Sequence, residues 1–168
     1  MRLPVRRLQL AGRSVLAMAL ALLATACAAD MPRPLPGLDR QLEQAGAGSS
    51  PSLAGRWLAL IAARGERQEV MLVDLEGQGP VPLVGLNRPD AQPLAVSVDG
   101  SGERLAVVRQ LEGRTELVLY RRRSLAVERI PMQPAGVPRR VSLRADGREL
   151  AVEVSRNGLW QVDLVRLP

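Results

Sequence analysis

Few residues in this chain have the type and spacing to do chemistry. They are one cysteine, Cys27, four aspartates, Asp74, Asp99, Asp146 and Asp163, and a run of three arginines, Arg121, Arg122 and Arg123. There is no histidine, which removes imidazole base catalysis and the commonest metal ligand. With a single thiol as well, Ser-His-Asp and Cys-His arrangements and the usual zinc sites are excluded by composition. What remains is paired carboxylates, Asp74 with Asp163 or Asp99 with Asp146, which would have to converge in a cleft to hydrolyse or eliminate anything. Each pair falls at what reads as an equivalent position of a repeat, where Asp is favoured for local hydrogen bonding. The expectation is therefore a structural role for these acids, no cofactor and no metal. Arg121, Arg122 and Arg123 follow the apolar run TELVLY at its loop end. They are the candidate docking patch for an acidic partner or lipid phosphates, set against the plainer reading of a solvated loop end. Trp57 and Trp160 are expected to be buried, because the chain has so few other large side chains to fill a core.

Cys27 takes its meaning from what precedes it. Arg2, Arg6, Arg7 and Arg13 are followed by an uninterrupted small and apolar run, Ser14 to Ala26 (SVLAMALALLATA). That is the layout of a secretory signal. At 13 residues the run is shorter than the roughly 20 a membrane-spanning helix needs. The cleavage region, Leu23-Ala24-Thr25-Ala26-Cys27, resembles a bacterial lipobox, with its Leu one place early. Ordinary signal cleavage at Ala24-Thr25-Ala26 or Ala26-Cys27-Ala28 is the competing reading. A lone cysteine in an exported chain can form no internal disulfide, and attachment to lipid gives it a purpose. The lipobox resemblance implies lipidation of Cys27 on the periplasmic side of a bacterial membrane. Ala28 and Ala29, in place of an Asp after the cysteine, are compatible with the outer membrane.

The formal charge of +6 is mostly signal peptide. Four of the 23 basic residues precede Cys27 and no acid does, so 19 arginines face 17 acids in the remainder, a net +2. A nearly balanced, exported chain with 2% aromatics lacks both the electrostatic footprint and the stacking platforms of a nucleic-acid binder.

Residues 28–52 are rich in Pro, Gly, Ser and Ala and read as a flexible linker; a short helix around Leu38 to Glu43 finds no core there to pack on. From residue 53 the sequence repeats. Gly55-Arg-Trp-Leu58-Ala59, Gly102-Glu-Arg-Leu105-Ala106 and Gly147-Arg-Glu-Leu150-Ala151 share the form G-x-x-L-A. Each opens a strand-like run (LALIAA, LAVVRQ, LAVEVS), then a turn at Gly65, Gly113 or Gly158, then a second run (EVMLVDL, TELVLYR, LWQVDL). In the second and third units a strand also precedes the motif, at Leu94 to Val98 and Val141 to Leu143, ending near Asp99-Gly100 and Asp146-Gly147, where Asp-Gly is expected to supply a positive φ. Val81 to Val84 and Ala126 to Ile130 close the first two units. Three or four antiparallel strands in roughly 45 residues is the size of a propeller blade.

The pattern S-x-D-G-x-x-L-A, present as Ser97 to Ala106 and Ser142 to Ala151 with insertions in the turn, resembles the WD40-like repeat of the TolB β-propeller family. The resemblance covers roughly residues 50–168. It implies an all-β fold of about three antiparallel blades, a partial propeller; with the N-terminal reading, the chain divides into signal peptide 1–26, lipid anchor and linker 27–52 and repeat domain 53–168. It also implies a setting in the cell envelope. Three blades are fewer than the 4 to 8 of closed propellers. A homodimer of three plus three blades, a compact sandwich, or an open array covered by a partner would each resolve the count. The function expected is a non-enzymatic, membrane-anchored module that binds an envelope protein. A small-molecule or glycan-binding module and a carboxylate-dependent hydrolase or lyase are the alternatives.

Overall fold

The computed structural model describes residues 32–168 apart from Ala45 and Gln78; the segment expected to be a signal and Cys27 lie outside the described residues. Pro36–Pro168 forms one compact unit. It contains one helix, α1 (Pro36–Gln44), followed by eleven strands: β1 (Gly48–Ala54), β2 (Trp57–Arg64), β3 (Arg67–Asp74), β4 (Gly79–Val81), β5 (Ala91–Val98), β6 (Arg104–Leu111), β7 (Arg114–Arg121), β8 (Ala126–Ile130), β9 (Val137–Leu143), β10 (Glu149–Arg156) and β11 (Leu159–Arg166). They make three antiparallel meanders in chain order, β1 to β4, β5 to β8 and β9 to β11. The fold is all-β with three blades, as the repeat implies.

The register explains the motif. Ala59 pairs Leu72, Ala106 pairs Leu119 and Ala151 pairs Leu164. Since neighbouring residues of a strand point to opposite faces, the Leu of each L-A dipeptide lies on one face and the Ala on the other. The Leu side, here the leading face, packs on the preceding blade. The Ala side, the trailing face, receives the next one. Thus Ala59, Ile61, Val70 and Leu72 of blade 1 meet Val98, Leu105, Val107 and Tyr120 of blade 2. Ala106, Val108, Leu117 and Leu119 of blade 2 meet Leu143, Leu150, Val152 and Val154 of blade 3. Middle strands covered on both sides need apolar residues at every position, which is why LALIAA and LAVV do not alternate.

Two elements begin earlier than the sequence suggests. β1 starts at Gly48 within the Pro/Gly/Ser-rich stretch, and α1 forms where no packing partner was expected. Pro36 is pre-set for a helix start, and Leu38 and Leu42, four apart, share one side of it. That side covers the leading face of blade 1 at Leu60, Ala62 and Val73. The helix therefore does have a core to pack on, and tertiary contact rather than local pattern decides its existence.

The innermost strands β1, β5 and β9 are linked by serines. Ser52 Oγ accepts the Val98 N–H at 3.2 Å and lies 3.2 Å from Ser97 Oγ. Ser97 Oγ in turn accepts the buried Leu143 N–H at 2.8 Å. Leaving a buried donor unpaired costs about 1–3 kcal/mol. Ser97→Ala is accordingly expected to lower stability by about 1–2 kcal/mol, measured by urea denaturation with an unchanged m-value.

The positive φ needed at the first hairpin sits on the motif glycine: +57° at Gly55, +66° at Gly102 and +70° at Gly147. In blade 2 this corrects the expectation that Gly100 of Asp99-Gly100 supplies it. The Asp99 N–H binds the Arg104 carbonyl as the Arg144 N–H binds that of Glu149, so Asp99 corresponds to Arg144 and Gly102 to Gly147.

Candidate interaction surface

The carboxylates do not converge. Asp74 pairs Trp57 at a strand end, whereas Asp163 pairs Val152 in mid-strand. Asp99 corresponds to Arg144 rather than to Asp146. Neither pair is repeat-equivalent, which corrects the sequence expectation, but each acid has a local task. Asp99 is buried and accepts the Glu103 and Arg104 N–H groups at 2.9 and 3.2 Å and the Ser101 hydroxyl at 2.8 Å. Asp146 accepts the Arg148 N–H at 3.0 Å. Asp163 is held by Arg156, whose Nη1 donates at 2.9 Å, and its pKa is lowered by that bond. Among the described residues no three Cys, Asp or Glu side chains are grouped to hold a metal.

Asp74 is the most perturbed acid. The bond from Arg56 is the main cause, helped by the Gly77 and Glu76 N–H groups, each 3.1 Å from Oδ1, and it holds the pKa at about 2 against an ordinary 3.8. A depressed folded-state pKa contributes stability that is present above the unfolded value and lost as pH falls through the folded one. Wild-type protein is therefore expected to lose stability between about pH 4 and pH 2. Asp74→Asn should be less stable at neutral pH and should lose less over that window, as followed by thermal melts across the range.

The three consecutive arginines part company. Arg121 Nη1 donates to Glu128 at 2.7 Å, the Arg122 guanidinium lies 4.7 Å from the centre of the Trp57 ring, and Arg123 is exposed with its backbone N–H on Glu103 at 2.7 Å. Trp57 is buried as expected. Trp160 is not: it is 53% exposed, with the Arg139 guanidinium 4.9 Å from its ring centre.

Trp160 lies with Val162 and Leu164 on an open apolar face. On the trailing face of blade 3, Leu164 is 83% exposed, while its counterparts Leu72 and Leu119 are 0% and 1% exposed. Val162, counterpart of the buried Val70 and Leu117, is open as well. Around the Trp160 end this face runs into a groove of about 790 Å³ along the innermost strands, lined by Ser50, Ser52, Leu94, Val137, Arg139 and Arg140. Arg139 and Arg140 share one carboxylate, Glu153, at 3.6 and 3.9 Å, leaving the rim with an excess of positive charge. Sequence reasoning missed this surface, because LWQVDLV carries the same alternation as the covered EVMLVDL; only the presence or absence of a neighbour distinguishes them.

No family model and no curated protein matches the sequence. Solved structures do. TolB from Acinetobacter baumannii aligns over 73% of this chain and 30% of its own, at 18% identity and a TM-score of 0.56. A puromycin-hydrolyzing peptidase from Mycobacterium tuberculosis aligns over 71% of this chain and 19% of its own, at 19% identity and 0.52. The β-propeller domain of the Trilobed protease from Pyrococcus furiosus aligns over 72% and 42%, at 14% and 0.52. At these identities the likeness is one of fold. The chain carries consecutive TolB-like β-propeller blades, and it spans less than half the length of each of these proteins.

Proposed function

We propose that this chain is a non-enzymatic envelope lipoprotein, held at the periplasmic side of a bacterial membrane through Cys27, whose β-repeat domain is a protein–protein interaction module. The observation that carries the reading is the open trailing face of blade 3. Leu164, Val162 and Trp160 form a contiguous apolar patch edged by Arg139, Arg140 and Glu153, and an apolar centre with a polar rim is the anatomy of a protein interface. The TolB-like fold supports an envelope setting. The lack of histidine and the separate local tasks of Asp74, Asp99, Asp146 and Asp163 support a role without catalysis. Ala28 and Ala29 after the cysteine favour the outer membrane.

Two measurements test this reading. Cys27→Ala is expected to move the protein from the membrane fraction to the soluble periplasm. A photo-crosslinking residue at position 162 is expected to form a discrete protein adduct in intact cells, whereas one at the exposed Glu66, remote from the patch, should not. A soluble wild type, or equal labelling at both positions, would count against it.

A further inference from the structure

The two end faces of the blade array, one open to solvent and one lying under α1, carry the positions that form the two halves of the joints inside it. At the trailing end, Ala151, Val162 and Leu164 occupy the positions that Ala59, Val70 and Leu72 fill in blade 1 and Ala106, Leu117 and Leu119 in blade 2. In both of those blades the positions are closed by the next one. Ser142 continues the series of Ser52 and Ser97 at the same 45-residue spacing. Each of the first two accepts a backbone N–H from the next blade's innermost strand, Val98 for Ser52 and Leu143 for Ser97. Ser142 is exposed.

At the leading end, Leu53 is the counterpart of Val98 and Leu143, since it pairs Leu58 as they pair Leu105 and Leu150. Those two are 0% and 7% exposed, but Leu53 is 68% exposed. Among the described residues, the rest of the leading face of blade 1 is covered by α1, through the side chains of Leu38 and Leu42. A nine-residue helix held by two half-buried leucines is a displaceable cover.

We infer that the trailing face of blade 3 docks the leading face of blade 1 of a second copy of this chain, with Ser142 Oγ accepting the Leu53 N–H of that copy. The inference rests on the interaction module proposed above and deepens it, because it names the occupant of that surface. Such a joint is head-to-tail, and a head-to-tail contact either closes a ring or propagates. With the three described blades in each copy, two copies bring together six, within the 4 to 8 of closed propellers, and a pair that closes on itself has two identical joints. Docking requires α1 to leave the face it covers, which makes the helix a brake on assembly.

The joint predicts a specific cross-link. Because Ser52 and Ser97 bring their Oγ atoms to 3.2 Å across an existing joint, Ser142 of one copy should meet Ser52 of the other in the same way. In full-length protein carrying Cys27→Ser, Ser142→Cys and Ser52→Cys are made as separate variants and oxidised singly and mixed. The expected result is a disulfide-linked dimer in the mixture only. Light scattering during size-exclusion chromatography of the protein without these substitutions should give twice the mass of a single chain. Leu164→Arg, at a site already exposed, should weaken the dimer roughly tenfold or more with an unchanged melting temperature of the monomer. Leu42→Glu, which releases the brake, should strengthen it. A monomer mass, a disulfide in either single-variant sample, or a dimer indifferent to Leu164→Arg would overturn the inference. A monomer whose position 162 forms its adduct with a different protein would leave the interaction-module reading standing and remove the second copy as the occupant, whereas the absence of any adduct at position 162 would remove both.

Discussion

Gly102→Ala is expected to lower stability by about 3 kcal/mol, the sum of a strained backbone and an overpacked core at one position. At φ +66° any side chain is disfavoured, and a Cβ built there would lie 2.3 Å from Trp57 Cδ2 and 2.4 Å from Cε2. The indole has no easy retreat. It is buried in the core between blades 1 and 2, and the guanidinium of Arg122 lies 4.7 Å from its ring centre. For a domain of this size such a loss lowers the melting temperature on the order of 10 °C, which calorimetry would register directly. Gly113→Ala is the control, because it too has a positive φ, of +74°, but open space where the Cβ would go. It should show the backbone cost alone, about 1 kcal/mol. Equal losses at the two sites would mean that Trp57 does not pack on Gly102 as described.

A larger effect is expected from removing the partner of a buried charge. Arg109 is 7% exposed and its Nε donates to Glu116 Oε1 at 2.8 Å. Its Nη1 has no hydrogen-bond partner among the described residues. Arg129 stands 3.7 Å from the same carboxylate and is well exposed. Deleting one member of a buried ion pair costs about 3–5 kcal/mol, because the other is left charged and desolvated. Set against the 5–15 kcal/mol total of a typical domain, Glu116→Ala is expected to leave the protein near its unfolding threshold at 37 °C. Replacing both partners by apolar residues of similar size removes the desolvation cost together with the attraction. Arg109→Met with Glu116→Leu should therefore recover most of the loss. A urea-denaturation cycle over the two single variants and the double variant measures this. If the double variant is as unstable as Glu116→Ala, the single loss reflects packing rather than an orphaned charge.

Much of the fold is legible in the repeat. G-x-x-L-A marks the start of every middle strand because three requirements coincide there: a left-handed turn residue, a large side chain for the preceding blade and a small one for the following blade. The hairpin turns at Gly65, Gly113 and Gly158 fall where β2 gives way to β3, β6 to β7 and β10 to β11. Strand β1 was less visible, since its GSSPSLA is compositionally a linker. Its serines make sense as strand residues only once their hydroxyls are seen to bridge to the N–H groups of β5. The candidate surface was the least legible part. Trp160 looked like core because large side chains are scarce, and a rule about scarcity is silent on which blade has a neighbour.

The sequence by itself determined the blade as a unit: its G-x-x-L-A start, its hairpin turns and its antiparallel middle strands, all set by short-range periodicity and turn chemistry, whereas the register between strands came with the structure. It also leaves these 168 residues with no histidine and a single cysteine, so they offer neither an imidazole nor a thiol pair. Only the tertiary structure decided which faces are covered. Apolar alternation states that a side chain is suited to burial, but burial is a property of two surfaces, and the second lies elsewhere in the chain or in another molecule. That is why Leu72, Leu119 and Leu164 read alike in sequence, and why only Leu164 is left facing solvent.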